Sequence, residues 1–304
     1  MSNLPAPSPG TSLAGPRPID AAAAGIMVTL CAIWALGQIA IKVGVTGISP
    51  LWQAGLRSLG ATVLILAWMH WRQIAVRPSP GTGLWALLIG TVFAIEFVFL
   101  YIGLGRTSAA RGSVLLYTAP FFVALGGHHL LGDRLTRHRL LGLMLAFAGV
   151  VLALSDRGGG GSGDLLGDAL CLAAGMAWAA TTLIVKATPL RAEPPERTLL
   201  VQLAVSAVLL LTASVVLGEP GVHAPTPWVW AAFIWQVVAV ASFSYLGWFV
   251  MVQRHSPAKV SAFTFLTPPF GVAFAAVLLQ EAPTLSLLGA AGLIAGGIWL
   301  VNRP

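Results

Sequence analysis

Apolar runs of about 20 residues, set apart by short polar breaks, fill this chain from residue 21 almost to its end. They cover about 21–43, 50–70, 82–104, 107–131, 136–154, 165–187, 198–217, 227–250, 257–278 and 284–302. A helix rises 1.5 Å per residue, so each run is long enough to cross the ~30 Å hydrocarbon core of a bilayer. The breaks hold the polar and turn-forming residues: GVTGIS after the first run, RQIAVRPSP after the second, and DRGGGGSGD (Asp156–Asp164) after the fifth. The pattern predicts an all-α membrane protein with ten transmembrane helices.

The spacing of rarer residues repeats. Arg106 to Asp133, moved by 148 positions, meets Arg254 to Glu281 without a gap. Ser108 falls on Ser256, Tyr117 on Phe265, Pro120 on Pro268 and Asp133 on Glu281. A second register of 144 positions lays Asp20 on Asp164, Trp34 on Trp178 and Lys42 on Lys186. The chain reads as a duplication, with the four-residue difference between registers taken up by a change in loop length. Residues 1–19, rich in Pro, Ser, Gly and Ala, read as a disordered tail. Residues 20–155 form a first five-helix repeat, 156–163 a flexible linker and 164–304 a second repeat. Five crossings are an odd number, so the two repeats are expected to be inverted relative to each other.

Composition agrees with the pattern. The chain is 57% hydrophobic and 9% charged, with mean hydropathy +0.85, against about 25% charged residues in a soluble domain. A net charge of +7 on a soluble protein would suggest nucleic acid. Here Lys and Arg flank the apolar runs, so the expected partners are membrane lipid and a small-molecule substrate, with no nucleic acid. With the N-terminus in the cytoplasm, twelve basic residues lie inside (Arg17, Arg72, Arg77, Arg134, Arg137, Arg139, Lys186, Arg191, Arg197, Arg254, Lys259, Arg303) and four outside (Lys42, Arg106, Arg111, Arg157). That bias puts both termini in the cytoplasm. Tryptophans 52, 68, 71, 85, 228, 230 and 299 fall near run ends, as interfacial anchors do. The tail has no basic start and apolar core, so it is not a cleaved signal peptide. Cys31 and Cys171 each sit in an apolar run and read as small hydrophobes. Gly142, Ala146 and Gly149 in the fifth run and Gly289, Gly292 and Gly296 in the tenth allow close helix approach, either of these two helices or of a dimer; the oligomeric state is left open.

Taken together, ten spans, two five-helix repeats, the Trp34–Lys42 and Trp178–Lys186 spacing, and Pro120 and Pro268 followed by Gly132-Asp133 and Gln280-Glu281 resemble the drug/metabolite transporter superfamily. The nearest branch is the EamA-type exporters, which include aromatic amino-acid exporters. The resemblance covers about residues 20–302. That family usually ends its fourth and ninth helices in Gly-Glu, and this chain keeps the charge at both places. The resemblance implies a bacterial-type inner membrane and outward movement of small metabolites, often amino acids, by alternating access. It also implies a central cavity lined by helices 1, 3, 4, 6, 8 and 9.

Several residues are candidates for that role. Trp34, Gln38 and Lys42 lie at i, i+4 and i+8 on one stripe of the first helix, and Trp178, Thr182 and Lys186 on the sixth. An aromatic, a hydrogen-bonding group and a cation in line would suit a zwitterionic or aromatic solute, although lysines at helix ends also snorkel. Glu96 is deep inside an apolar run and Arg57 reaches about the same depth. A charge there costs at least ~2.5 kcal/mol and marks a pathway or a partner. Glu96 therefore reads as a proton-coupling carboxylate, as half of an ion pair with Arg57, or as a carboxylate facing water in an outer cavity. Phe93, Phe97 and Tyr101, with Tyr245 and Trp248, form aromatic stripes, and Ser242, Ser244, Thr264 and Thr267 could add polar groups to an aromatic wall. Tyr117 belongs with them. Pro120 and Pro268 interrupt helical hydrogen bonding and are expected as hinges or fixed bends. Asp133 and Glu281 are expected to cap the helices that follow them. His128-His129 has no third ligand at metal spacing, no catalytic motif is present, and neither an enzyme activity nor a cofactor is expected. A rival transport reading, an antiporter or flippase of anionic substrates such as sugar phosphates, rests on Lys42, Arg106 and Arg111. A structural or sensory membrane protein is the alternative of another class.

Overall fold

The structure, a computed structural model, describes residues 18–107, 112, 115–133, 135–155, 164–278 and 285–303. The expected disordered tail (to residue 17), the linker 156–163, Arg111 and Glu281 lie outside the described residues. Among those described there are ten helices and no strand: α1 (Ala21–Gly44), α2 (Pro50–Trp71), α3 (Gly83–Arg106), α4 (Ala119–Leu131), α5 (Arg137–Ser155), α6 (Leu165–Ala187), α7 (Pro195–Val216), α8 (Pro227–Arg254), α9 (Pro257–Phe263 continued, after a 3-10 turn, by Thr267–Leu278) and α10 (Leu285–Asn302). Five of them, α1, α3, α6, α7 and α8, are long and apolar enough to cross a membrane. Arg57 and Gln53 make α2 more polar than these at similar length.

Burial runs opposite to a soluble protein. Leu59, Val63, Leu84, Val208, Val216 and Leu285 face outward, while Gln53, Arg57, Ser58, Gln202 and Ser206 are buried. An apolar exterior around a polar seam is what lipid selects, since hydrocarbon offers polar groups no partners. At the helix ends Trp71, Trp228 and Trp299 are exposed, and the Arg303 guanidinium lies 3.7 Å over the Trp299 ring.

The two repeated aspartates do the same work. Asp20 accepts from the Ala23 amide at 2.8 Å and Asp164 from the Gly167 amide at 2.6 Å, each capping its helix N-terminus. The Gly167 amide, followed by Arg106, holds the Asp164 carboxyl below the usual range. The repeated lysines also match. Lys42 of α1 donates to the Thr107 carbonyl just past α3. Lys186 of α6 donates to the Val252, Gln253 and His255 carbonyls at the end of α8. Both put a cation on the negative end of a helix.

Packing repeats as well. α3 lies against α6 and α7, while α8 lies against α1 and α2; α4 lies against α6, and α9 against α1. The α1–α2 loop meets the α7–α8 loop, through Ser49 N to Gly221 O at 2.9 Å and His223 N to Gly47 O at 3.0 Å. The α2–α3 loop meets the α6–α7 loop, where Glu193 accepts from the Ser79 amide at 3.0 Å and Arg197 donates to the Ala75 carbonyl. The 22 residues of α2, about 33 Å of helix, separate these two loop contacts.

Three sequence expectations change. First, the four-residue register shift is not in a loop. α8 has 28 residues where α3 has 24, and its stretch Gln236–Ser244 is π-helical. An i→i+5 turn takes in more residues than an α turn, so part of the insertion is wound into the helix. Second, Pro120 and Pro268 are not mid-helix kinks. Each is the second residue of a restarted α-helix, after a turn at Tyr117–Thr118 and after the 3-10 turn Thr264–Leu266, where a missing N–H leaves no helical bond unmade. Third, Asp133 does not cap α5. Its carboxylate accepts from Ser256 Oγ at 3.3 Å, and the α5 amide of Arg139 is met by Thr136 Oγ1, because Gly132 in the left-handed region (φ 69°) turns the chain away at the end of α4.

Of the alternatives for the small-residue stripes, the structure has α5 against α10. A Cβ on Gly297 would sit 2.5 Å from the Gly142 carbonyl oxygen and 2.7 Å from the Ala146 nitrogen, whereas one on Gly292 meets nothing within 4 Å. The contact thus runs through Gly142, Ala146, Gly149 and Gly297. Gly297→Val is expected to destabilise the protein by about 1–3 kcal/mol and lower its thermal midpoint in detergent, with Gly292→Val close to wild type. Equal midpoints for the two variants would refute the contact.

Candidate functional site

The polar seam encloses one cavity between the two halves of the chain. Its wall takes Trp34, Gly37, Gln38 and Ile41 from α1, Arg57 from α2, and Phe93, Glu96, Phe97 and Leu100 from α3. Leu116 and Tyr117 precede α4. Trp178 and Thr181 come from α6, Gln202 from α7, and Gln236, Val240, Tyr245, Trp248 and Phe249 from α8. Helical spacing explains the grouping: 34, 38 and 41 share one face of α1, and 93, 96, 97 and 100 one face of α3. Free space inside comes to about 60 Å³, room for about four waters at ~15 Å³ each.

Aromatic rings fill the middle. The Trp34 and Trp178 ring centroids are 5.5 Å apart at 88°, Trp34 and Trp248 5.5 Å at 69°, and Trp178 and Trp248 5.6 Å at 52°. Tyr117 stands edge-on to Trp178 at 5.5 Å. Edge-to-face pairs of this kind are worth about 0.5–1.5 kcal/mol each beyond burial. The Trp34 indole N–H donates to Ser244 Oγ at 2.8 Å, and Ser244 donates on to the Val240 carbonyl at 2.6 Å, inside the π-helical stretch. Gly37 leaves space there for Val240, which would press a Cβ at 3.1 Å.

Arg57 and Glu96 do not form the ion pair that was one of the expectations for Glu96. Arg57 is 1% exposed and its guanidinium lies 3.9 Å from the Phe97 ring centroid, a cation–π contact worth about 2 kcal/mol when desolvated. Glu96 is 5% exposed. Both line the cavity, yet no ion pair within 4.0 Å joins them. Arg57 Nε and Nη2, Glu96 Oε2, Gln38 Oε1 and Gln202 Oε1 are buried without hydrogen-bond partners. Leaving such groups unmet costs about 1–3 kcal/mol apiece, more for the charged ones.

Gln236 ties helices together at the cavity wall. Its Oε1 accepts from Gln53 Nε2 at 3.0 Å and from Tyr101 OH at 2.9 Å, while its Nε2 donates to the Ala40 carbonyl at 3.0 Å. Four helices meet on that one amide.

Of the residues singled out from sequence, Trp34, Gln38, Arg57, Glu96, Phe97, Tyr117, Trp178, Tyr245 and Trp248 meet around the cavity. Tyr101 stands one layer behind, on Gln236. Thr182 bonds back to the Trp178 carbonyl at 3.0 Å and Thr264 to the Ser261 carbonyl at 2.7 Å, so neither hydroxyl faces the wall. Among the described residues α9 adds nothing to the lining, and α2 and α7 take part instead. Gln202 and Gln236 were missed. Gln202 was findable, because α2 and α7 start at Pro50 and Pro195 and this register of 145 lays Arg57 on Gln202. Of the cations behind the anionic-substrate reading, Arg106 pairs with Asp164 at 2.9 Å on the surface and Lys42 lies outside the lining, while Arg111 is not among the described residues. His128 contacts the Asp133 carbonyl at 3.1 Å.

The sequence pattern of the EamA-like transporter family matches residues 22–155 and, a second time, residues 165–303. The chain belongs to that family. It is a membrane transporter of the drug/metabolite transporter superfamily and not an enzyme. Among proteins similar to this EamA-like chain is an uncharacterized transporter of Archaeoglobus fulgidus, 28% identical over 83% of this chain and 87% of the relative. A probable amino-acid metabolite efflux pump of Escherichia coli is 26% identical over 90% of this chain and 92% of its own length. A solved crystal structure superposes with a TM-score of 0.76 at 21% identity, over 92% of this chain and 96% of that one, a likeness of fold alone.

Replacing Ser244 with Ala orphans the Trp34 N–H in a dry setting. The expected loss is about 1–3 kcal/mol, read as a lower thermal midpoint in detergent, with Ser244→Thr largely restoring it. A midpoint unmoved by Ser244→Ala would mean the bond contributes nothing.

Proposed function

We propose that this EamA-like transporter exports amino acids, aromatic ones included, by alternating access through the cavity between two inverted five-helix halves. The carrying observation is the cavity itself. Gln38, Arg57, Glu96, Gln202 and Gln236 line it, and its walls come from both halves, α1–α3 with Leu116 and Tyr117 on one side and α6–α8 on the other. The amino-acid class draws on the relatives named as amino-acid metabolite efflux pumps and on an aromatic wall with one cation and one carboxylate.

Inversion is supported by the doubled contacts. The α1–α2 loop meets the α7–α8 loop and the α6–α7 loop meets the α2–α3 loop, so equivalent loops pair at opposite ends of the bundle. Helix pairs α2–α7 and α5–α10 join equivalent elements, as pairs on a two-fold axis in the membrane plane do. With the basic residues at the α2–α3, α4–α5, α6–α7 and α8–α9 connections facing the cytoplasm, Gln236 ties the cavity wall on the outer side. The breaks before Pro120 and Pro268 are then places where the bundle bends as access alternates.

Reconstituted vesicles loaded with unlabelled amino acid are expected to take up labelled phenylalanine or leucine by counterflow, at least about tenfold faster than protein-free vesicles, and to ignore sugar phosphates. Flux no greater than that of protein-free vesicles, or flux of sugar phosphate alone, would reject the reading. In the same vesicles Gln236→Ala removes the knot joining four helices and is expected to raise passive leak of the substrate; a leak unchanged from wild type would show that this amide is no seal.

A further inference from the structure

We propose that the cavity recognises α-amino acids as zwitterions, the carboxylate on Arg57 and the ammonium on Glu96, with the side chain among Trp34, Trp178 and Trp248. This deepens the exporter reading above and rests on it.

The first ground is which atoms of Arg57 are free. Its unpartnered donors are Nε and Nη2, which share one edge of the guanidinium. Two parallel N–H groups on that edge are the fork that takes a carboxylate by two hydrogen bonds at once. The groups seated on the guanidinium are aromatic rings, the Phe97 centroid 3.9 Å from it and the Tyr245 centroid 5.9 Å. A ring face steadies the plane of the guanidinium and leaves the edge open.

The second ground is the acceptors. Glu96 Oε2, Gln38 Oε1 and Gln202 Oε1 all belong to side chains lining the cavity, all more than nine-tenths buried, and all lack a donor. Three acceptors match the three N–H groups of an ammonium. Gln202 occupies in α7 the place that Arg57 holds in α2, so the two repeats differ at this position in charge. The repeat that keeps the guanidinium supplies the anion site, and the other supplies a neutral acceptor.

The third ground is charge balance. Arg57 and Glu96 are opposite in sign and do not neutralise each other by contact. A ligand carrying one charge satisfies one of them and leaves the other buried and opposed. An anionic ligand faces Glu96, and a simple amine faces Arg57. A zwitterion satisfies both, which makes the pair a filter for molecules with both ends present. Its side chain then has only the indole rings to lie against, so apolar and aromatic amino acids fit best.

The test uses vesicles of the full-length protein and phenylalanine or leucine, whichever gives counterflow. Unlabelled competitors are the amino acid itself, its deaminated acid (3-phenylpropanoate or 4-methylpentanoate) and its decarboxylated amine (2-phenylethylamine or 3-methylbutylamine). In the wild type each one-ended analogue is expected to compete at least about tenfold more weakly than the amino acid, as sites with buried polar partners discriminate. Glu96→Gln should close the gap to the acid and keep the gap to the amine; Arg57→Gln should do the reverse, and Arg57→Lys should keep the wild-type order. If both analogues compete with wild type as well as the amino acid does, the inference fails, whether or not the variants fold. It also fails if Glu96→Gln and Arg57→Gln, eluting as intact protein with near-native thermal midpoints, keep the wild-type ranking. If neither amino acid gives counterflow, the exporter reading falls with it; amino-acid flux with indifference to the analogues overturns the zwitterion site alone.

Discussion

A guanidinium in the middle of an apolar bundle sets the terms for everything around it. Arg57 is 1% exposed, away from bulk water, so the fold must carry partners to it. Phe97 comes from α3, and Glu96 lies one residue before it, so both are delivered to the cavity by one helix turn. Lipid strengthens the demand, because polar groups have nowhere to go except inward. Gln38, Gln53, Gln202 and Gln236 collect in the same seam for that reason. The cavity is the consequence of gathering these groups where two apolar-faced halves meet.

The contacts of one half recur in the other, and the differences fall where chemistry is needed. Aspartate caps, lysines on helix ends and loop pairings recur in both halves. Arg57 and Gln202 are not alike, and neither are Glu96 and the π-helical stretch of α8. Substrates are not two-fold symmetric, so a site placed on a pseudo-symmetry axis has to break that symmetry in its side chains. Here the break puts the charges on α2 and α3 of the first half, with the neutral Gln202 of α7 where α2 carries Arg57. The tryptophans stay paired and shape an apolar centre common to both.

Much of the fold was legible in the residues. Trp34, Trp178 and the aspartates before each first helix stood out because they are rare in an apolar chain, and the structure puts each pair to equivalent use. The run lengths located the helices to within a few residues, apart from α4, whose first described turn is broken at Tyr117–Thr118. Other features could not be seen that way. Periodicity cannot tell an α turn from a π turn, so the four-residue shift looked like a loop. A proline reads as a bend wherever it stands, and only coordinates place it at a helix start. Hydroxyls on apolar faces are ambiguous as well: Thr182 and Thr264 return to their own helix carbonyls, as threonines in helices often do. The charges were found, but their separation was not, since one chain in one register says nothing about side-chain distance.

The account stands or falls on solute passing through this seam from either side. Cysteine placed at Gln38 or Gln202, in a background with Cys31 and Cys171 replaced by alanine, can be probed with membrane-impermeant thiol reagents from each face of oriented vesicles. The account predicts modification from both faces, slowed when phenylalanine or leucine is present. Cysteines inert from both faces, or reactive from one face alone whatever the solute, would contradict it.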